Sequence, residues 1–273
     1  MTTTHKSVKY KGNCLMSGKE SQIEIRPSEN NTGITFINEQ TGEKVVASVD
    51  NIIDTTHMIV LGTPSFNIRL AEHLMAALAL NFTSGVEISI TGNEVPAGDG
   101  SAKEFYKLIN PIFYRFNYND QRFNLPEPLY YTHKHTSISA LPSDNFRISY
   151  CVNYPESPFE QKWYKWQADQ NCIEDIISAR TFGYVKELPL YQSQGYALGV
   201  TRENTIGIND DGTLTNSLRY PDEPVRHKVL DLIGDLYLAG INPLQLNAHI
   251  IAIECGHYQH VELARRIKNT LIV

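Results

Sequence analysis

The sequence predicts an α+β fold made of two tandem domains of similar topology, each a β-sheet layer packed with two helices. A chain of 273 residues suggests roughly two domains, at about 150 residues for each. The first half alternates short β-like runs with turn clusters before two helical segments, and the second half repeats that order. Between the halves, residues 115–131 are polar and proline-bearing without a clear period, as in a linker. We therefore expect an N-terminal domain at 1–121 and a C-terminal domain at 122–273.

The N-terminal half is expected to hold a sheet and two helices. Strands are predicted where β-like runs lie between turn-forming clusters, at 22–26, 33–37, 44–47, 58–61 and 86–91. Apolar residues dominate 68–80, which predicts a helix. The turn Asp99-Gly100-Ser101 is expected to cap a second helix at 102–109.

The C-terminal half repeats this order of elements. Its predicted strands and helices are strands at 136–139 and 145–152, a helix near 172–178, a long helix at 223–239, and then a strand and a final helix. No residue-level repeat accompanies the repeated order, so the pattern alone supports a duplicated architecture only at the level of elements.

Composition and charge argue against several classes of protein. The 24 Lys and Arg against 30 Asp and Glu give a net charge of -6, which argues against a nucleic-acid binder that needs a broad basic face. No stretch approaches 18 consecutive apolar residues and the N-terminus is polar, so we expect a cytoplasmic chain without a transmembrane segment. The four cysteines are scattered without a Cys-x-x-Cys pair, which argues against a disulfide framework or a cysteine-rich zinc site.

The predicted helix at 223–239 has an apolar face and a polar face. On the polar face, His227, Asp231 and Asp235 follow one another at intervals of four residues. His and Asp one turn apart can ligate one metal ion, because imidazole nitrogen and carboxylate oxygen are both good zinc donors. The alternative is a row of ion pairs on the protein surface.

A further metal ligand must come from elsewhere in the chain, and His73 is the candidate. It lies beside Glu72 at one end of an otherwise apolar helix, where buried polar residues usually have a partner. A zinc ion on His73, His227 and Asp231 would keep one position for water, with Glu72 as a base and His257 as a proton donor. Each residue has an alternative. Glu72 would only favour the helix dipole, His73 would be a hydrogen-bonded core residue, and His257 would be a loop residue without a role.

Several runs in the chain resemble one known family. They are LAEHLMAALA at 70–79, EVPAGDGSAKEF at 94–105, ISARTFGYVKELPLYQSQGYALG at 177–199, EPVRHKVLDLIGDLYLAG at 223–240 and CGH at 255–257. In order and spacing they resemble the UDP-3-O-acyl-N-acetylglucosamine deacetylases, the zinc enzymes of lipid A biosynthesis. The resemblance implies two α+β domains with the active site between them. It also implies a hydrolase, a zinc metalloamidase, that takes part in lipid and lipopolysaccharide synthesis.

Carried over residue by residue, the resemblance implies one zinc ion per chain and a set of roles. Those roles are zinc ligands His73, His227 and Asp231, general base Glu72, general acid His257 paired with Asp235, oxyanion contact Thr181, sugar contact Phe182 and phosphate contact Lys228. For Lys228 the alternative is a solvated helix lysine.

The stretch 184–208 resembles the small β-α-β insert in which the family holds a fatty acyl chain. Candidate lining residues are Leu188, Leu190, Tyr191, Tyr196, Leu198 and Val200. The same residues would equally serve as the core of any small insert, and both interpretations stay open.

The chain departs from the family pattern without losing a catalytic or metal residue. The family turn Gly-Leu-His-Ser/Thr-Gly becomes Cys14-Leu15-Met16-Ser17-Gly18, and Thr-Thr-Leu-Gly becomes Ile59-Val60-Leu61-Gly62. We expect an acylated UDP-sugar as substrate, no nucleic acid, and at most transient contact with the inner membrane surface. The alternatives are a paralogue that deacetylates another N-acetylated sugar and a non-catalytic sugar-nucleotide-binding regulator.

Overall fold

The computed structural model describes residues 6–29, 33–63, 65–117, 119–168, 170 and 172–271. Within these ranges no helix is long and apolar enough to cross a membrane. The fold is α+β, as the sequence predicts, with two mixed sheets and the longer helices packed against them.

The N-terminal half forms one five-stranded sheet, one small sheet and two helices. Its elements are β1 (Val8–Asn13), β2 (Glu20–Pro27), β3 (Ile34–Asn38), β4 (Lys44–Val46), β5 (Ile52–Asp54), β6 (Val60–Gly62), β7 (Asn67–Arg69), α1 (Glu72–Leu80), β8 (Val86–Ile90) and α2 (Lys103–Phe113). The five strands are ordered β1-β2-β8-β3-β4, with β3 and β8 parallel. Strands β5, β6 and β7 form the small antiparallel sheet.

The first helix begins four residues later than the sequence predicts. Residues 68 and 69 belong to β7, where Ile68 pairs with Leu61 of β6. Leu70 then has a φ of 60°, a left-handed conformation that no helix continues through. Consequently α1 starts at Glu72, and all nine of its residues are buried.

The C-terminal half forms a second mixed sheet, a parallel pair of strands and four helices. Its elements are β9 (Phe123–Asn124), β10 (Leu129–His133), β11 (Thr136–Pro142), β12 (Arg147–Val152), β13 (Lys162–Gln167), α3 (Glu174–Ile177), β14 (Thr181–Tyr184), α4 (Leu188–Ser193), β15 (Thr205–Ile208), α5 (Glu223–Tyr237), β16 (Leu246–Ile253) and α6 (His257–Leu271). The main strand order is β10-β11-β16-β12-β13, and β9 pairs with β16. The boundary between residues 121 and 122 falls just before β9 and stays a prediction.

Helices α1 and α5 pack with their backbones close together, which brings the two halves into contact. Gly234 of α5 makes this approach feasible, because a Cβ at that position would lie 2.1 Å from the carbonyl oxygen of Glu72. The apolar core includes buried residues of both large sheets, such as Ile25 and Ile250. The close approach of the helices aligns the first turn of α1 with the middle of α5, and the candidate site lies there.

Candidate active site

Helix α5 is buried on both its apolar and its polar face. The apolar stripe of Val225, Val229, Leu232, Ile233 and Leu236 is buried, as its period predicts. His227, Asp231 and Asp235 are also at most 2% exposed. The alternative of a surface ion-pair row is therefore wrong. Ionisable groups taken out of water to this extent need partners or ligands.

The side chains of His73, His227 and Asp231 converge on one point. Their potential ligand atoms all lie within 4.8 Å of one another. Nε2 of His73 is 3.4 Å and Nε2 of His227 is 3.3 Å from Oδ1 of Asp231. That Oδ1 atom is buried and has no hydrogen-bond partner among the described residues. A buried, unpartnered carboxylate oxygen facing two imidazole nitrogens is a suitable set of ligands for a divalent cation.

The protonation of two of these groups, His227 and Asp231, also suits a cation. Nδ1 of His227 is 2.9 Å from the carbonyl oxygen of Ala179, so Nδ1 carries the hydrogen and Nε2 offers its lone pair. Burial lowers the pKa of His227 to about 4, which keeps its imidazole neutral at pH 7. Burial alone would raise the pKa of Asp231, but His227 and Lys228 hold that pKa well below its usual range. The carboxylate therefore stays ionised.

Glu72 lies in the first turn of α1 with its carboxyl group buried. Its Oε2 accepts a hydrogen bond from the backbone N–H of Ile59 at 3.1 Å. Its Oε1 is 3.8 Å from Nε2 of His257. Burial raises the pKa of Glu72 above its ordinary value, against the opposing effect of the nearby histidines. A carboxylate with a raised pKa is a stronger base, as proton abstraction from water requires.

His257 is the first residue of α6 and is buried, so it is not a loop histidine. Its Nδ1 donates to Oδ2 of Asp235 at 2.8 Å, and its Nε2 lies 4.0 Å from Oδ2 of Asp231. Burial lowers the pKa of His257, but Asp235 and Glu72 outweigh that effect and raise it to about 9. His257 is therefore cationic at pH 7 in the protein as described, with a proton on the nitrogen that faces Glu72.

The predicted substrate contacts lie on β14 and α5, next to these groups. The backbone N–H of Thr181 donates to the carbonyl of Gly100 at 2.9 Å, which ties β14 to the N-terminal half. Phe182 packs edge-on against His227, with ring centroids 6.1 Å apart. The ammonium of Lys228 donates to Oδ2 of Asp231 at 2.8 Å. Lys228 is thus an ion-pair partner inside the site and not a solvated surface lysine.

A cavity of about 880 Å³ opens from this site towards the 184–208 stretch. Thr181, Phe182, Lys228 and His257 line its catalytic end. Apolar and aromatic lining comes from Leu15, Met16, Val185, Leu188, Tyr191, Tyr196, Ala197 and Val200. Polar residues such as Thr56, His57 and Arg202 also line the cavity. A cavity of this size with both apolar and polar lining is typical of a site for an amphipathic ligand.

Comparison with known proteins assigns the chain to one family. The family model described as LpxC, UDP-3-O-acyl N-acetylglycosamine deacetylase, matches residues 1–269. The chain belongs to this family. Among curated relatives, UDP-3-O-acyl-N-acetylglucosamine deacetylase of Chlamydia abortus is 35% identical, over 98% of this chain and 97% of its own length. The proteins of the same name from Chlamydia pneumoniae and Thermodesulfovibrio yellowstonii are 34% and 32% identical, over 98% of this chain and 97% and 91% of theirs.

Two apolar residues of the 184–208 stretch lie outside the cavity lining formed by the described residues. Leu190 is 58% exposed and Leu198 is 50% exposed. The backbone N–H of Leu198 donates to the carbonyl of Met16 at 2.9 Å. Its backbone therefore links the 184–208 stretch to the turn at 14–18. Leu198 is not among the described residues that line the cavity, whereas neighbouring Val200 is.

Sequence reasoning missed three buried groups that organise this deacetylase site. The carboxylate of Glu94 accepts the backbone N–H groups of Met16 and Ser17 at 2.6 and 2.9 Å, and so holds the turn that lines the cavity. Glu223 pairs with Arg180 at 2.9 Å beside Thr181. His260 shares Asp235 with His257. Only His260 had a sequence signal, since it follows His257 by three residues and lies on the same face of α6.

Proposed function

We propose that the protein is a zinc-dependent hydrolase that removes the N-acetyl group of UDP-3-O-acyl-N-acetylglucosamine, giving UDP-3-O-acyl-glucosamine and acetate in lipid A biosynthesis. One observation carries the proposal: a buried set of metal-ligand atoms lies next to a carboxyl base and a cationic histidine, at one end of a cavity with apolar and aromatic lining. The names of relatives at 32–35% identity over 98% of the chain support it. The reaction belongs in the cytoplasm, with transient contact at the inner membrane surface.

His73, His227 and Asp231 would hold one zinc ion per chain. Two imidazoles and a carboxylate are common protein ligands of catalytic zinc, and three such ligands leave a position open. When bound, zinc supplies a Lewis acid for the amide carbonyl and lowers the pKa of water. The unpartnered Oδ1 of Asp231 supports this assignment, because a buried carboxylate oxygen needs a donor or a cation.

The proton transfers fall to Glu72 and His257. Glu72 takes a proton from the attacking water. Its Oε1 is the atom suited to this step, because its Oε2 already accepts the backbone N–H of Ile59 and Oε1 lies 3.8 Å from Nε2 of His257. A bond forms between the water oxygen and the acetyl carbon, and the C–N bond then breaks. His257 gives its Nε2 proton to the departing amine nitrogen, while Asp235 holds the opposite ring nitrogen in place. Acetate and the free amino sugar result.

Three residues would bind the substrate around this centre. Thr181 lines the cavity beside the ligand set, where its hydroxyl would stabilise the charge that develops on the carbonyl oxygen. Phe182 would pack against the sugar ring. Lys228 would contribute positive charge on the side of the diphosphate, in addition to its ion pair with Asp231.

The apolar part of the cavity would hold the acyl chain. Each buried methylene contributes about 0.8 kcal/mol, and binding energy from such a remote group can lower the barrier of the chemical step. Of the candidates in the 184–208 stretch, those best suited to this contact are the four that line the cavity: Leu188, Tyr191, Tyr196 and Val200.

A second candidate is deacetylation of a different N-acetylated sugar. It is favoured by Met16, which lines the cavity where the resembling family turn has a histidine. A non-catalytic sugar-nucleotide-binding regulator is disfavoured by the intact pair of Glu72 and His257. A protein that only binds sugar nucleotides has no need of a water-activating base.

Metal removal tests the proposed function. Acetate release from UDP-3-O-acyl-N-acetylglucosamine is expected to stop after chelation and to return with about one equivalent of zinc. H227A and D231A are expected to lose most of the bound zinc, whereas H249A, which changes a histidine outside the site, should keep it. Turnover that survives complete metal removal, or full zinc retention by H227A, would overturn the proposal.

A further inference from the structure

A second buried histidine shares the carboxylate that supports His257. His260 follows His257 by one turn of α6, and its Nδ1 is 2.7 Å from Oδ2 of Asp235. Nδ1 of His257 lies 2.8 Å from the same oxygen. Asp235 and His260 are both 0% exposed. One buried carboxylate oxygen therefore receives two imidazole N–H groups.

Tyr150 of β12 completes this arrangement from the other side of His260. Its hydroxyl lies 2.8 Å from Nε2 of His260 and 2.6 Å from the carbonyl oxygen of Cys255. Because a carbonyl oxygen can only accept, the single proton of the Tyr150 hydroxyl goes either to that carbonyl or to an unprotonated Nε2 of His260, and the hydroxyl oxygen can also accept from a protonated Nε2. Cys255 precedes His257 by two residues. The network thus contacts His257 twice, through its side chain and through the backbone that leads into it.

We infer that His260 and Tyr150 are positioning residues that hold Asp235, and through it His257, in the geometry for proton donation. The inference rests on the proposed function of His257 as the proton donor. Oδ1 of Asp235 has no hydrogen-bond partner in the part of the chain that the structure describes. The carboxylate is consequently held by Oδ2 alone, and the hydrogen bond from His260 decides which oxygen faces His257. Without the bond from His260, the single hydrogen bond between Asp235 and His257 would have to fix both the rotation of the Asp235 carboxylate and the tilt of the His257 ring.

A purely structural role for His260 makes a different prediction. A histidine that only fills the core would affect stability, and any change of similar volume would affect turnover in the same way. A positioning residue acts on kcat more than on KM, because the proton moves in the transition state and not in substrate binding. It also depends on a hydrogen-bond donor at one atom. Asparagine can supply that donor, since its Nδ2 occupies nearly the position of the histidine Nδ1.

The experiment compares H260L, H260N and Y150F with the unmodified zinc-loaded protein in acetate release. H249L serves as the matched control, because His249 also pairs with a hydroxyl between β12 and β16, at 2.9 Å from Ser149, without contacting Asp235. We expect kcat of H260L to fall roughly tenfold to a hundredfold, as for a lost hydrogen bond to a charged group. KM should change less than about twofold. H260N should recover most of kcat, Y150F should lose a few-fold, and H249L should match the unmodified protein.

A second measurement detects the hydrogen bond between His257 and Asp235 directly and does not depend on turnover. In proton NMR of protein with 15N-labelled histidine, the Nδ1–H of His257 bonded to Asp235 should give a far-downfield signal. We expect H260L to shift or broaden this signal in both metal-free and zinc-loaded protein. H260N and H249L should leave it in place.

The outcomes separate this inference from the proposed function. If H260L is folded but keeps the unmodified kcat and NMR signal, the inference is overturned. Equal loss of kcat in H260L and H260N would also overturn it, because packing would then explain both. If H260L does not fold, the same NMR measurement on Y150F tests the inference. An unchanged His257 signal in Y150F would then contradict it. If the unmodified protein releases no acetate, the proposed function fails, and the inference of a role in proton donation is overturned with it.

Discussion

The buried ion pair between Glu223 and Arg180 joins the helix that holds two proposed metal ligands to the strand that holds Thr181. Glu223 is the first residue of α5, and its Oε1 accepts hydrogen bonds from the backbone N–H and Nε of Arg180 at 3.0 and 2.9 Å. Its Oε2 accepts from the backbone N–H of Arg219 at 2.6 Å and from Nη2 of Arg180 at 3.2 Å. The carboxylate is 0% exposed. All four donors therefore depend on one charged group.

Changing Glu223 to Gln tests this pair with almost no change in shape. The amide nitrogen cannot accept, so two of the four donors lose their bond to residue 223, and the guanidinium of Arg180 stays buried without the charge of Glu223. Breaking a buried pair from one side costs about 3–5 kcal/mol. At roughly 3 °C for each kcal/mol in a chain of this size, Tm is expected to fall by about 9–15 °C. Thermal unfolding followed by circular dichroism measures it.

E174Q is the matched control for this substitution. Glu174 pairs with Lys103 at 3.0 Å, but its side chain is 46% exposed. An exposed pair contributes at most about 1 kcal/mol, so E174Q should lower Tm by only a few degrees. A loss of Tm in E223Q no larger than in E174Q would refute the reasoning that burial makes the Glu223 pair strong.

The pH dependence of the same pair has a definite sign. Burial raises the pKa of Glu223, but the hydrogen bonds from Arg180 and Arg219 outweigh it and hold the pKa below its ordinary value. A depressed pKa in the folded state stabilises the protein above the unfolded pKa of about 4.3. The stabilisation is lost as pH falls through the folded pKa. The Tm difference between unmodified protein and E223Q should therefore be full near pH 7 and shrink in acid.

Further predictions concern the acyl cavity and the contact between α1 and α5. UDP-N-acetylglucosamine without the acyl chain should lose kcat/KM by about 10³-fold if five buried methylenes act in the transition state. V200D should penalise only the acylated substrate and by more than L198D, because Val200 lines the cavity and Leu198 does not; equal effects would contradict the cavity assignment. G234A should destabilise the fold strongly and lower zinc affinity, because its Cβ would lie 2.1 Å from the carbonyl oxygen of Glu72. G183A meets no atom within 4 Å, and equal stability losses in the two variants would contradict that account.

Helix α5 shows how far the sequence alone predicts the site. Its period correctly separates an apolar face from the face of His227, Asp231 and Asp235, and its bounds at Glu223–Tyr237 agree closely with the predicted 223–239. The pattern cannot tell a solvated polar face from a buried one, because both have polar residues at the same spacing. Burial of that face depends on α1, which is distant in the chain and approaches closely only because residue 234 is glycine.

The insert shows where sequence patterns carry less information. Helix α4 has six residues, too few for a reliable period, so the apolar residues that line the cavity and those that face outward look alike. Leu190 lies in the second group and Leu188 in the first. The sequence also predicts too early a start for α1. The left-handed conformation of Leu70 depends on its position after β6 and β7, and the residue type does not indicate it.

Acetate release from UDP-3-O-acyl-N-acetylglucosamine by unmodified protein and by E72Q, with zinc content measured on both, tests the central claim most directly. Glutamine keeps the shape of Glu72 and can accept the hydrogen bond from Ile59, but it cannot take a proton. Since Glu72 is not a proposed ligand, both proteins should hold about one equivalent of zinc. The account predicts turnover by the unmodified protein and a fall in kcat of about 10²-fold or more in E72Q. Equal rates of acetate release at equal zinc content would contradict it.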